Sequence, residues 1–543
     1  MSAEGLLLFA AVLLPLGMAI SCLSRTIRAR APSLLVFAPV PAMLAAWLVP
    51  NGVSVFFPAP LRMTLALDRP GAILLGGAAL LWSAAGAFAA TTMAGRPGTP
   101  GFAVWWLLTL TGSLGVFIVA DIASFYLVFT LVSLAAYGLI VHEQTAAALR
   151  AGLVYVVLAL LGEAFLLLAF VMLAAGAPDP NPLIRDAMAA LPASPMRDGI
   201  LALVILGFAL KMGLVPLHVW LPLAHPAAPM PASAVLSGVV VKAGVIGLIR
   251  FLPFETALPA WGAMLTTVGL FTAYYGVIVG ITQQRLKTIL AYSTVSQMGL
   301  VATILGVGLA HGDPAAPVLA AYYGVHHTLI KGGLFLAVGV GLVTRGSHLR
   351  PILLLTGLLA LSLAGLPLTS GALAKIAAKQ MLGSGIATIA MTLAAAGSTA
   401  LMLHFLAALK RETAANAETP ETPGQVAPLL VVAAASIIIP WSLYPGLPGM
   451  NLSSAVEIGA LWTLVWPMVL GGIAFMMLRR LNGLRGALPE GDILVLAEKC
   501  APLVGRVAGT FAKVDSLTRH WPVAGVLLVC IAMLLGGALL SRP

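Results

Sequence analysis

Residues 210–229 read LKMGLVPLHVWLPLAHPAAP. The stretch is apolar enough to sit in lipid, yet it holds Lys211, His218, His225 and four prolines. A lysine near the bilayer centre costs roughly 2.5–3.5 kcal/mol on insertion scales, and proline breaks a helix from within. The pairing therefore needs a reason, and that reason decides whether the chain is a stack of ordinary membrane helices or one built around interrupted helices.

The surrounding chain has the composition of a membrane protein. Of 543 residues, 60% are hydrophobic and 9% charged, and the mean hydropathy is +1.05, outside the range of water-soluble domains. Apolar runs of about 20 residues, the length that crosses a roughly 30 Å hydrocarbon layer, recur throughout, so helices rather than a barrel do the spanning. Sixteen such runs are read, at 4–24, 33–50, 71–93, 103–120, 122–141, 148–175, 198–218, 231–252, 258–281, 288–309, 316–343, 350–381, 385–409, 427–446, 452–478 and 522–541. The first lacks the basic flank of a signal peptide, with Glu4 the sole charged side chain before Arg25, and is expected to be retained. The expected fold is an all-α polytopic membrane protein with about 14–16 transmembrane helices.

The net charge of +11 would suggest nucleic acid in a soluble protein, but here its distribution sets the topology, and no nucleic-acid partner is expected. Arg25, Arg28, Arg30, Arg96, Arg150, Arg285, Lys287, Arg345, Arg350, Lys410, Arg411 and the basic run from Arg479 follow odd-numbered spans, whereas Arg62, Arg69, Arg185, Arg197 and Arg250 follow even-numbered ones. The richer side faces the cytoplasm by the positive-inside rule. Both termini are then expected in the periplasm of a bacterial inner membrane. Cys22, Cys500 and Cys530 have no metal or disulfide spacing, and no cofactor is expected in this chain.

Two polar interruptions punctuate the hydrophobic body. RETAANAETPETPGQ, 411–425, reads as a solvated loop. Within 479–520, Lys499, Arg506 and Lys513 recur every seven residues among apolar ones, which predicts an amphipathic helix lying on the cytoplasmic surface, kinked at Pro502. A weaker signal is an internal echo: GLVPL at 213–217 lies near Lys211, and GLPL at 365–368 lies near Lys375. Proline-interrupted segments in corresponding places mark inverted-repeat transporters, where an unwound turn exposes backbone groups at membrane depth.

Five lysines fall within spans: Lys211, Lys242, Lys331, Lys375 and Lys379. Nearby ionisable candidates are Glu163, His326, His327 and His404, with His327 and Lys331 four residues apart on one helix face. Such a row can pass protons, because burial and neighbouring charges make each site gain or lose one easily. Bland alternatives stand beside this reading: Lys379 near a helix end snorkels to the interface, His404 is a core histidine bonded to backbone, and His218 and His225 satisfy carbonyls freed by the prolines.

Four stretches carry a resemblance: KMGLVPLHVWLPLAHPAAPMPASAVLSGVVVKAGVIGLIR at 211–250, LKTILAYSTVSQMGL at 286–300, HHTLIKGGLFL at 326–336 and LAGLPLTSGALAK at 363–375. The chain resembles, over roughly residues 60–410, the antiporter-like membrane subunits of respiratory complex I, energy-converting membrane-bound hydrogenases and Mrp-type cation/proton antiporters. The pattern around Lys242 and HPAAPMPASAVLSG looks closer to the hydrogenase-type subunits.

The resemblance implies two inverted five-helix repeats, at 103–252 and 258–409, each with a broken helix, flanked by 1–102 and 427–478 and closed by a last helix in 521–543. It implies that Lys211 is the lysine of the first broken helix and Lys242 lies on the next, that His327 and Lys331 form the central link, and that Lys375 is the exit-side residue, with Pro216 and Pro367 supporting the breaks. It further implies other membrane subunits, soluble redox or catalytic subunits and the lipid bilayer as partners. A surface helix within 479–520 reaches only about 60 Å, shorter than the lateral helix of complex I.

One departure stands out. The family's fifth helix resembles F-Y-L-F-W-E-L-M-S-L, with a glutamate paired to the first broken-helix lysine; here 125–134 read FYLVFTLVSL, and the position is Thr130. Either Glu163 takes over as counter-charge and the subunit pumps, the preferred expectation, or the site is disabled and the chain is a scaffold. Asp121, at the start of the same helix, is a weaker candidate. No nucleophile arrangement, metal spacing or phosphate loop indicates a self-contained active site.

Overall fold

The structure, a computed structural model, describes residues 2–58, 62–96, 98–177, 179, 181–415, 425–480, 488–490 and 493–495. The N-terminal elements are helices α1 (Ala3–Ser21), α2 (Arg25–Leu34) and α3 (Val40–Leu48), then a hairpin of β1 (Ser54–Phe57) and β2 (Met63–Ala66), then α4 (Arg69–Thr92). The first half of the body contains α5 (Thr99–Gly115), α6 (Ile122–Ile140), α7 (Ala146–Ala175), α8 (Ile184–Ala190), α9 (Arg197–Met212), α10 (Trp220–Ala227), α11 (Met230–Val235) and α12 (Lys242–Phe251). The second half contains α13 (Pro259–Thr282), α14 (Leu286–His311), α15 (Ala316–Val343), α16 (Leu349–Ala364), α17 (Ser370–Leu382) and α18 (Ile386–Ala415). Three more follow: α19 (Val426–Leu443), α20 (Leu452–Val456) and α21 (Ile458–Arg480).

Among the described residues, twelve helical segments are long and apolar enough to cross a membrane, and the chain is a multi-pass, all-α membrane protein. Of the other expected spans, 103–120 falls on the 17-residue α5 and 198–218 on α9 and the break that follows it. The expected helix 33–50 is corrected: α2 ends at Leu34, a turn runs to Pro39, and α3 has only 9 residues, about 14 Å of rise. The two prolines of FAPVP, 37–41, account for the interruption. The span 522–541 and most of the surface helix expected in 479–520 lie outside the described residues. The chain divides into two units, 1–490 and 491–543.

The hairpin is a second correction, because no strand is expected from the apolar reading. Ser54 pairs with Ala66 and Phe57 with Met63 in antiparallel register. Its outer edge is closed by Ala66 N–H donating to the Ile118 carbonyl (2.7 Å) and Ala120 N–H donating to that of Thr64 (2.9 Å). Asp121 caps α6 through Ser124 N–H (2.8 Å) and also accepts from Thr64 N–H (2.7 Å) and Asn181 Nδ2 (2.9 Å). Its carboxylate thus holds the hairpin to the helix.

Burial separates a centre from a rim. The most apolar windows of the spans 230–251, 286–311 and 316–343 are 100%, 94% and 89% buried within the protein, whereas that of α21 is 17% buried. A charge on the central three spans is therefore enclosed by protein rather than lipid. Close backbone approach makes this centre dense: a Cβ on Gly269 of α13 would lie 2.7 Å from the Gly299 carbonyl oxygen of α14, the small-residue packing that brings membrane helices together.

The two interruptions close alike. Gly213 (φ +76°) and Gly365 (φ +107°) take the left-handed conformation that ends a helix. In each, the next residue's N–H reaches back five positions, Leu214 to the Ala209 carbonyl and Leu366 to that of Leu361, both at 2.9 Å. Pro216 and Pro367 then prevent the helix from resuming at once.

Candidate functional site

Lys211 lies in the last turn of α9, immediately before the first break, and is 4% exposed. Its ammonium donates to Ser133 Oγ on α6 (2.9 Å) and Tyr155 OH on α7 (3.2 Å), and sits 5.6 Å from the centres of the Phe129 and Tyr155 rings. These aromatic faces favour a cation. One turn along α6, Thr130 Oγ1 donates to Glu163 Oε2 (2.7 Å), while the other carboxylate oxygen has no hydrogen-bond partner. Glu163 is 5% exposed and its charge acts on Lys211. Thr130 and Ser133 thus form a hydroxyl pair between carboxylate and ammonium. In the break itself, Val215 N–H donates to Thr272 Oγ1 (3.1 Å) and Trp220 Nε1 to the Leu210 carbonyl (2.9 Å), so freed backbone groups are met by side chains.

The central station follows. A single π-helical turn, Leu236–Val240, precedes Lys242, a distortion common at functional positions. Lys242 Nζ bonds His327 Nδ1 and lies 3.5 Å from the Ser237 carbonyl. His327 Nε2 has no hydrogen-bond partner. Four residues on, Lys331 donates to the Leu290 carbonyl (2.5 Å) and Ser293 Oγ (2.6 Å) of α14, with its ammonium 5.4 Å from the Phe335 ring. His327 and Lys331 share a face of α15 yet engage different helices.

His326, the adjacent residue on α15, turns to the second break, where its Nδ1 meets Ser370 Oγ (2.9 Å), itself 3.3 Å from Ser362 Oγ. Lys375 donates to the Leu363 and Ala364 carbonyls at the open end of α16. A cation there complements the negative end of the helix dipole. The breaks therefore differ: Lys211 precedes its break and reaches sideways, whereas Lys375 follows its break and caps the helix before it.

The remaining expected residues are placed as follows. His404 Nε2 bonds the Gln283 carbonyl (2.7 Å), the backbone partner of a core histidine. Lys379, half-buried, donates to the Thr463 carbonyl (3.3 Å). His218 packs edge-on against Tyr275, with ring centres 5.0 Å apart. His225 is fully buried, and the Leu221 backbone is the hydrogen-bonding neighbour of its ring.

The hydroxyls of Ser133, Tyr155, Ser293 and Ser370, and Lys287 at the start of α14, are residues that sequence reasoning misses. A serine within LAYSTVSQMGL or LVSLAAY carries no mark distinguishing a lysine's partner from a side chain bonded to its own helix.

Buried ammonium groups, imidazoles and one carboxylate, linked by hydroxyls and carbonyls across two interrupted helices, define a polytopic membrane protein of the antiporter-like class. Residues 119–404, more than half of the chain, match the family described as NADH:quinone oxidoreductase/Mrp antiporter, TM, and the chain belongs to that family. It is 32% identical over 291 residues to Hydrogenase-4 component B of Escherichia coli, a match covering 51% of this chain and 43% of that protein. It is 35% identical over 205 residues to the putative antiporter subunit mnhA2 of Staphylococcus epidermidis, covering 33% and 25%. The match thus spans less than half the length of these relatives. The fold is similar to that of a chain in the Mrp complex from Dietzia sp. DQ12-45-1b, with TM-score 0.76 and 23% identity, covering 99% of this chain and 63% of that one.

Proposed function

We propose that the chain is a proton- or cation-translocating membrane subunit of a multi-subunit energy-coupling complex in a bacterial inner membrane. One observation carries this reading: Lys211, Lys242, His326, His327, Lys331 and Lys375 are all buried, at 4% exposure or less, and each finds hydroxyl, imidazole or carbonyl partners. Buried ionisable groups at membrane depth are costly and mark ion pathways. Glu163 serves, in this reading, as the counter-charge of Lys211. Redox chemistry sits in soluble partner subunits, and further membrane subunits complete the complex.

The likeness to the putative antiporter protein of Staphylococcus epidermidis supports a second reading, a member of a cation/proton antiporter that works without redox partners. Thr130 at the family's glutamate position supports a third, a non-conducting scaffold. Vesicles bearing the complex separate them. Lys211→Ala, Lys331→Ala and Lys375→Ala are each expected to abolish ion movement while assembly persists; unchanged transport in all three leaves only the scaffold. Copurifying iron–sulfur or nickel subunits favour the redox complex, and small hydrophobic subunits alone favour the antiporter.

A further inference from the structure

His225 has no place in the path described so far, yet it lies between Lys331 of that path and an opening at the arginine-rich end. A cavity of about 350 Å³ at the arginine-rich end is lined by Glu143, Lys287, Pro226, Ala228, Pro229 and Met230, among others. Lys287 donates from its wall to the Ala228 carbonyl (2.6 Å) and to Ser233 Oγ (3.2 Å). Ser233 in turn donates to the carbonyl of His225 (2.8 Å). A lysine in the first turn of a helix opposes the helix dipole, so its retention on the cavity wall calls for a use there.

On the inner side, the His225 ring lies 5.5 Å from the Phe335 ring, and Lys331 Nζ lies 5.4 Å from the same ring. Phe335 is thus flanked by an imidazole and an ammonium. A buried imidazole usually has both ring nitrogens bonded; among the described residues the ring of His225 has the Leu221 backbone as its one hydrogen-bonding neighbour, which leaves a ring nitrogen open.

We propose that His225 is the proton-uptake station linking the cavity at Glu143 and Lys287 to Lys331, with the Phe335 ring as the gate between them. A proton from cavity water adds to one ring nitrogen, and the proton on the other leaves to a neutral Lys331 amine. The imidazole is left neutral in its alternative tautomer and is reset by a ring flip. This inference rests on the transport reading above.

The test uses membrane vesicles carrying the full-length chain with its partner subunits, with Lys331→Ala measured in parallel. His225→Gln keeps hydrogen-bonding capacity but cannot relay a proton, and is expected to slow proton uptake at least tenfold with normal assembly. Met230→Cys, treated from the arginine-rich face with a membrane-impermeant thiosulfonate, is expected to lose most transport relative to the untreated variant, with the wild-type chain and its three cysteines as control. Wild-type rates for His225→Gln where Lys331→Ala is inactive would overturn this inference alone. Wild-type rates for both would overturn the transport reading and this one with it. Should His225→Gln fail to assemble, the thiol treatment decides: absence of block refutes the route.

Discussion

Thr130 Oγ1 donates a 2.7 Å hydrogen bond to Glu163, so the residue standing where the family has a glutamate touches the carboxylate one helix away. The proposed counter-charge of Lys211 thus sits on α7 rather than α6, and the Thr130 hydroxyl orients it. Glu163→Gln is therefore expected to cut transport at least tenfold, whereas Thr130→Val, which removes one neutral-to-charged hydrogen bond, costs two- to fivefold. Initial rates of dye quenching in vesicles measure both; the opposite ranking refutes the replacement.

Lys375 offers a way to separate capping from proton exchange. Arginine keeps a positive charge at the end of α16 but does not deprotonate in proteins. Lys375→Arg should assemble and melt like the wild type in detergent while transporting at less than a tenth of its rate. Wild-type transport by this variant would make Lys375 a cap and nothing more.

The pair of Lys242 and His327 couples two central spans. His327→Phe fills the space but leaves the ammonium of Lys242 without its imidazole partner. Removing one member of a buried hydrogen-bonded pair costs about 1–3 kcal/mol, so both transport and detergent stability should fall. Lys242→Met with His327→Phe, which removes both members, should regain stability but not transport.

Packing at the second break is tested by a smaller change. A Cβ on Gly371 would lie 1.7 Å from the Ser362 carbonyl oxygen, while one on Gly17 of α1 meets nothing within 4 Å. Gly371→Ala should cost about 1–3 kcal/mol through overpacking, read as a lower aggregation temperature and less assembled complex. Gly17→Ala should leave both unchanged or slightly improved.

The breaks are only partly legible in sequence, because the echo of GLVPL at 213–217 and GLPL at 365–368 is weak alone and gains its meaning from the family resemblance. The buried lysines are legible because lipid makes each conspicuous. Their partners are not. Ser133 is 78 positions from Lys211, and Ser293 is 38 from Lys331; only helix packing brings them together, and a serine in a membrane helix is unremarkable alone. The hairpin is hidden for a related reason, since Val55, Phe56 and Phe57 continue the apolar composition of their neighbours and the bonds to Ile118 and Thr64 that fix it span some fifty residues. Glu163 is legible as a carboxylate midway along an apolar helix, but its contact with Thr130 is not.

Lys242, His327 and Lys331 all fall near the middle of their spans, within Met230–Phe251 and Ala316–Val343. Shuttling a positive charge among them therefore runs mostly across the membrane field rather than along it, and does little electrical work. A full crossing is worth about 2.3 kcal/mol per 100 mV, and nearly all of that must be done where charge joins or leaves the row. In the transport reading, the voltage sensitivity of turnover is then set mainly at the two portals, and the interior steps respond little to the membrane potential.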